Sequence, residues 1–163
     1  MKNFLIIGNM NAFMYRGVFP LIREGKIRYG YDYVNTFIQN REEVKFGNIC
    51  WYTTLGVNNV REELPLTKKY SVKDYSMYDN YDAINVDRLS DIPMDYNGFI
   101  GVPITYLNKH NPKQFKIVGI ACGNSRKNKF NYEVPYKKLS KDRGGCPVIK
   151  GKLIYARLFI QKV

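Results

Sequence analysis

The sequence predicts an α/β fold with irregular β-rich additions, and three observations point to it. A fully apolar run, Phe4-Leu5-Ile6-Ile7, stops at the turn formers Gly8-Asn9. An unalternating run of that length suits a strand buried on both faces, as in a parallel sheet. A helical stretch and a second strand follow before residue 32, completing strand-helix-strand, the repeating unit of α/β sheets. Farther along, apolar runs at residues 99–104 and 115–121 are too short for core helices and are bounded by Gly, Pro and Asn, as strands are.

Taken in order, residues 1–31 form the strand-helix-strand unit. A helical stretch is expected near residues 12–24, broken or kinked around Pro20 and stopped by Gly25. Residues 27–31 alternate with basic and glycine residues and form the second strand. A strand covered on both faces needs a neighbour on each edge, so further sheet-forming sequence is expected ahead of Met1. Residues 32–97 are an irregular insertion with a possible role in target recognition: 44–46 and 49–54 read as strands, 67–81 as a Tyr- and Asp-rich loop, and 82–86 as a short strand. Asp91-Ile92-Pro93 and Asp95-Tyr96-Asn97-Gly98 are turn chemistry. Residues 98–123 hold the two later apolar runs, the first limited by Pro103, read as a hairpin with a long connection. Residues 124–163 are a basic segment closing in a strand over 153–163, where Ile154, Ala156, Leu158 and Ile160 alternate in places with polar residues. No repeat or linker interrupts the chain, and residues 1–163 are read as a single domain.

Composition removes several function classes. At 45% apolar and 25% charged residues, the chain is a folded globular protein. No apolar run approaches the ~20 residues of a membrane span, and the opening run is too short for a secretory leader, so a cytoplasmic location is expected. Cys50, Cys122 and Cys146 are odd in number and form no C-x-x-C pair, which suits buried thiols better than a disulfide framework or zinc site. His110 is the single histidine, which argues against His-based metal sites and nucleophile-histidine pairs. Asp79, Asp82, Asp87, Asp91 and Asp95 lack calcium-loop spacing and read as solvated turn carboxylates, so no metal is expected. No Walker motif or G-x-G-x-x-G follows a strand, and no catalytic or cofactor-binding residue is assigned.

Charge is the positive signal. Residues 1–104 hold 12 Lys/Arg and 12 Asp/Glu, whereas residues 105–163 hold 14 and 2, so the last third carries the whole net charge of +12. Such self-repulsion is relieved by a polyanion, and neutralising phosphates releases counterions. A lysine-rich solvated face has the same composition. Aromatic residues interleave with the cations from Arg126 onward, and cations grip phosphates while aromatic faces stack on bases. Arg126, Lys127, Lys129, Tyr132, Tyr136, Lys137 and Lys138 are therefore the candidate DNA-binding residues. Trp51-Tyr52-Thr53-Thr54 is a second aromatic and hydroxyl cluster.

Several ordered blocks together resemble a known family. They are Phe4-Leu5-Ile6-Ile7-Gly8-Asn9-Met10-Asn11-Ala12, Val18-Phe19-Pro20-Leu21-Ile22, Trp51-Tyr52-Thr53-Thr54, Tyr78-Asp79-Asn80-Tyr81-Asp82-Ala83-Ile84, Asp91-Ile92-Pro93, Gly101-Val102-Pro103-Ile104-Thr105-Tyr106-Leu107 and Asn111-Pro112-Lys113-Gln114-Phe115. In this order, up to about Ile120, they resemble the EcoRI-type adenine-specific DNA methyltransferases; after Gly123 the likeness is diffuse. The resemblance implies S-adenosylmethionine-dependent methylation of adenine in duplex DNA, within restriction-modification systems. It also implies a partial Rossmann-like methyltransferase sheet, with residues 4–7 as its fifth strand and the runs at Phe99 and Phe115 as its closing antiparallel hairpin. Asn9 and Asn11 would border the target-base pocket.

The family's cofactor-binding glycine motif and Asn-Pro-Pro-Phe motif lie upstream of the stretch that matches Met1, and no [Asp/Asn]-Pro-Pro-[Phe/Tyr/Trp] occurs here. That motif positions a flipped adenine for attack. The expectation is a C-terminal half, inactive alone and without S-adenosylmethionine of its own, whose partners are double-stranded DNA and a separate N-terminal half; no membrane partner is expected. A free-standing DNA-binding module, or a protein-interaction domain that offers a strand edge, are the alternative readings.

Overall fold

The computed structural model describes residues 2–30, 36–55 and 62–163. It divides into two compact units, Met1–Asn59 and Val60–Val163, where the sequence reading took one domain; each has its own sheet.

In the first unit the described elements are β1 (Leu5–Asn9), a 3-10 helix (Met10–Met14), α1 (Phe19–Arg23), β2 (Arg28–Tyr29), β3 (Thr36–Gln39), β4 (Glu42–Lys45) and β5 (Ile49–Thr53). The sheet order is β1-β5-β2. Because β5 is antiparallel to both neighbours, from Leu5↔Thr53 to Asn9↔Ile49 and at Arg28↔Thr53 and Tyr29↔Tyr52, β1 and β2 run parallel to each other. The strand-helix-strand unit is thus present, with an antiparallel strand inserted into it. Phe13, Phe19, Ile22, Ile27, Tyr29, Cys50 and Tyr52 form its buried interior.

Three expectations change here. The break expected around Pro20 falls just ahead of it, at residues 15–18, and Pro20 lies in the first turn of α1, where its missing N–H breaks no hydrogen bond. Only a 3-10 turn precedes that break, so the helical stretch expected over residues 12–24 is two short helices, the first beginning at Met10. Gly25 follows with φ +69° as the expected stop. Tyr31, the last residue of the expected second strand, lies outside the described residues. The largest change concerns β1. It was expected to be covered on both faces, yet Leu5, Ile6 and Ile7 are 54%, 52% and 48% exposed, because β1 ends the sheet and no described strand pairs with its outer edge.

The second unit comprises β6 (Ile84–Asn85), a 3-10 turn (Leu89–Asp91), β7 (Ile100–Pro103), a 3-10 helix (Ile104–Lys109), β8 (Phe115–Ala121), α2 (Ser125–Asn128), β9 (Val148–Ile149), β10 (Lys152–Leu153) and β11 (Arg157–Lys162). Its main sheet runs β6-β7-β11-β8, with β6 and β7 parallel and β11 antiparallel to both its neighbours. The expected hairpin between the runs at Phe99 and Phe115 is therefore not formed, since β11 separates β7 from β8. Leu158, Phe159 and Ile160 are all fully buried. A strand with three consecutive buried residues needs cover on both faces and hydrogen bonds on both edges, and the centre of the sheet supplies them. Pro103 closes β7 two residues past its last pairing with β6, at Gly101, as the sequence predicts. Residues 67–81 contain no extended strand, only isolated bridges. Gly101 is required by packing: a Cβ there would lie 2.1 Å from the Tyr78 hydroxyl.

Candidate nucleic-acid interface

The basic segment is organised around one carboxylate. Asp142 is 1% exposed. Its Oδ1 accepts from Arg126 Nη1 at 3.0 Å and from the backbone N–H groups of Gly144 and Gly145 at 3.1 and 3.3 Å. Its Oδ2 accepts from the Tyr136 hydroxyl and from Leu139 N at 3.0 Å. Burial alone would raise the carboxyl's pKa, but the Tyr136 and backbone donors and the Arg126 charge outweigh it, and the net shift is downward. Burial and the adjacent carboxylate raise the Tyr136 phenol. The loop turns through Arg143, Gly144 and Gly145, all at positive φ. Gly144 is obligatory, since a Cβ there would stand 2.1 Å from the Gly123 carbonyl oxygen.

A second anchor comes from the block Tyr78–Ala83. Asn80 is fully buried; its amide donates to Cys146 O at 2.8 Å and accepts from Val148 N at 3.0 Å. Asp79 accepts from Lys150 N and Gly151 N at 3.1 and 2.7 Å, holding the β9–β10 turn. Tyr81 donates to Gly145 O at 2.6 Å and packs on Tyr136 and Phe159 with ring centroids 4.9 and 4.8 Å apart. These residues hold the basic loops in place.

The candidate residues accordingly fall into two groups. Arg126 and Tyr136 are tied to Asp142 and shape the loop. Lys127, Lys129, Tyr132, Lys137 and Lys138 are exposed, and the two lysine pairs neighbour residues that meet at the same carboxylate. Only two acids lie in residues 105–163, and both are engaged: Glu133 by Lys116 at 3.1 Å and Asp142 by Arg126. Arg157 pairs with Asp87 at 2.7 Å. Among the described residues, the other 11 cations of this stretch have no ion-pair partner. Sequence reasoning missed Asp142; its signal was a lone acid within a basic run, just ahead of Arg143-Gly144-Gly145, a turn-forming context.

At the exit of β1, Asn9 Oδ1 accepts from Asn11 N at 2.8 Å and caps the 3-10 helix. The Tyr52 hydroxyl donates to Asn9 O at 2.8 Å, and that of Tyr29 to Met10 O at 2.8 Å. Burial raises both phenols and pushes the Cys50 thiol up to about 11. Of Trp51-Tyr52-Thr53-Thr54, Tyr52 and Thr53 are buried. Cys50, Cys122 and Cys146 are free thiols. Among the described residues no metal-ligand cluster occurs, and no helix is long and apolar enough to cross a membrane.

Residues 34–163 match the family described as adenine-specific methyltransferase EcoRI, so the likeness runs through the basic segment, beyond the Ile120 limit of the sequence reading. The chain is 40% identical over 181 aligned positions to the type II methyltransferase M.EcoRI of Escherichia coli, covering 98% of this chain and 50% of that protein. It is 32% identical to the type II methyltransferase M.MgeORF184P of Mycoplasma genitalium and 28% identical to M.MpnI of Mycoplasma pneumoniae, covering 99% of this chain and 57% of each. The chain thus spans about half the length of these curated relatives. No solved structure matches it. By the extent of these matches, the chain belongs to the EcoRI family of adenine-specific methyltransferases.

Proposed function

We propose that this chain is the C-terminal half of a site-specific adenine DNA methyltransferase of a restriction-modification system. The first unit completes the sheet of a Rossmann-like methyltransferase core, the second grips duplex DNA, and methyl transfer requires the other half. The observation that carries this reading is the open border of β1. Three consecutive apolar side chains, each about half exposed, project from a strand whose outer edge pairs with no described strand, an arrangement prone to aggregation unless a further strand covers it. Full burial of a Leu or Ile is worth ~1.5–3 kcal/mol, so covering all three would add about 2–4 kcal/mol to assembly. In this reading β1 is the family's fifth strand, and β5 paired with β2, rather than the runs at Phe99 and Phe115, is the closing antiparallel hairpin.

S-adenosylmethionine supplies the methyl group in this family, and the strand-to-helix turns among the described residues lack the glycine-rich form that would cradle it. The turn from β1 into its 3-10 helix, Asn9–Asn11, spends its first free N–H on Asn9 Oδ1, β7 passes into its 3-10 helix through Pro103, and among the described residues no glycine-rich loop leads from a strand into a helix. Cofactor and catalytic motifs belong to the missing half. Lys127, Lys129, Lys137 and Lys138 would meet phosphates, Tyr132 would lie beside them, and Asn9 and Asn11 would line the border of the target-base pocket. Such an enzyme meets its substrate in the cytoplasm.

The test is reconstitution. The purified chain is mixed with a polypeptide carrying the family's glycine and Asn-Pro-Pro-Phe motifs, and transfer of labelled methyl to duplex adenine is measured alongside light scattering. Transfer by the mixture and by neither component alone is expected. Transfer by this chain alone, or two folded components that form no complex, would overturn the proposal.

A further inference from the structure

The first unit carries an element that its sheet does not use. Strands β3 and β4 form a two-stranded ribbon, Thr36↔Lys45 through Gln39↔Glu42, that pairs with no other described strand. An isolated hairpin is marginal in water, and this one has a single aromatic clasp, Phe37 on Phe46 at 5.6 Å. Its two-residue loop is Asn40-Arg41, at φ +51° and +68°. Both loop positions of this turn require positive φ, and glycine is strongly favoured at the second. An arginine there is not explained by the turn. Gln39, Asn40 and Arg41 are exposed, and none of their side chains hydrogen-bonds to or ion-pairs with a described residue.

We infer that this ribbon enters a groove of duplex DNA and reads base edges with Gln39, Asn40 and Arg41, an inference that rests on the DNA-methyltransferase reading above. A two-stranded ribbon fits the major groove, where Arg pairs bidentately with guanine and Asn or Gln with adenine. Four residues per strand give about 13 Å of reach, more than the groove's depth of about 8.5 Å. Behind the tip, Glu42 offers an acceptor to a cytosine amino group, and Ile38, 80% exposed, offers apolar contact to a thymine methyl. A tip made of charged and amide side chains is a poor match for the charge-depleted centre of a protein interface. Base edges suit it better.

The experiment selects duplexes from a random-sequence pool with the intact chain, and with Asn40→Gly and Arg41→Gly. The second variant creates the preferred Asn-Gly turn while removing the guanidinium, so it separates recognition from hairpin stability. Wild type should enrich a motif. Each variant should keep its salt-dependent affinity for the unselected pool and lose preference at one base pair by about five- to a hundredfold. Binding without enrichment, or an unchanged motif and preference in both variants, overturns the ribbon's role and leaves the DNA reading standing. No binding to any duplex overturns both.

Discussion

Replacing Lys127, Lys129, Lys137 and Lys138 together with Gln removes four of the 11 cations in the last third that lack an ion-pair partner among the described residues. All four side chains are exposed, and none of them takes part in the Asp142 network, so the thermal unfolding midpoint should stay within a degree or two. Each phosphate contact contributes about 0.9 to the slope of log K against log salt. If all four touch phosphates, the slope falls by up to about 3.6. At 0.1 M salt, a decade below the 1 M reference, the same factor amounts to at most about 3.6 decades of affinity. Fluorescence anisotropy on a labelled duplex, titrated at several salt concentrations between 50 and 300 mM (about that range keeps binding measurable), gives slope and affinity together. A slope change below one in a folded variant would show that these lysines do not meet the backbone and that their charge only solvates the surface.

Three further predictions follow from the geometry. Asp142→Ala leaves the donors of Arg126, Tyr136, Leu139, Gly144 and Gly145 without their acceptor and should cost about 2–4 kcal/mol in denaturant unfolding. Because the folded-state pKa of Asp142 lies below the ordinary carboxylate value, its contribution is complete above about pH 4 and is lost as pH falls further. Wild type and variant should therefore converge in stability below that pH; a constant gap down to pH 2 would refute the assignment. Gly144→Ala combines positive φ with a 2.1 Å contact and should unfold the basic loop, read as new protease cleavage between residues 136 and 146. Ile6→Lys, at a half-exposed site, should leave the isolated chain as stable as wild type within about 0.5 kcal/mol while abolishing complex formation and methyl transfer in the reconstitution; retained transfer would mean that β1 is not the joint.

Much of the molecule was legible in one dimension. Short apolar runs between turn formers located β1, β5, β7, β8 and β11, because strand propensity and turn chemistry act over a few residues. The charge imbalance located the basic segment for the same reason: it is a sum over the sequence. Partner choice was not legible. Nothing local distinguishes a hairpin of β7 with β8 from the observed order with β11 between them; burial on both faces of Leu158, Phe159 and Ile160 decides it, and burial is a property of the assembled sheet. Composition could not show that one buried carboxylate, 16 and 6 residues away, also holds Arg126 and Tyr136. The sequence determined which segments are strands and where the uncompensated charge lies. Tertiary structure alone decided, among the described residues, which cations are ion-paired and which strand ends each sheet, since pairing and desolvation depend on neighbours that folding brings from distant points of the chain.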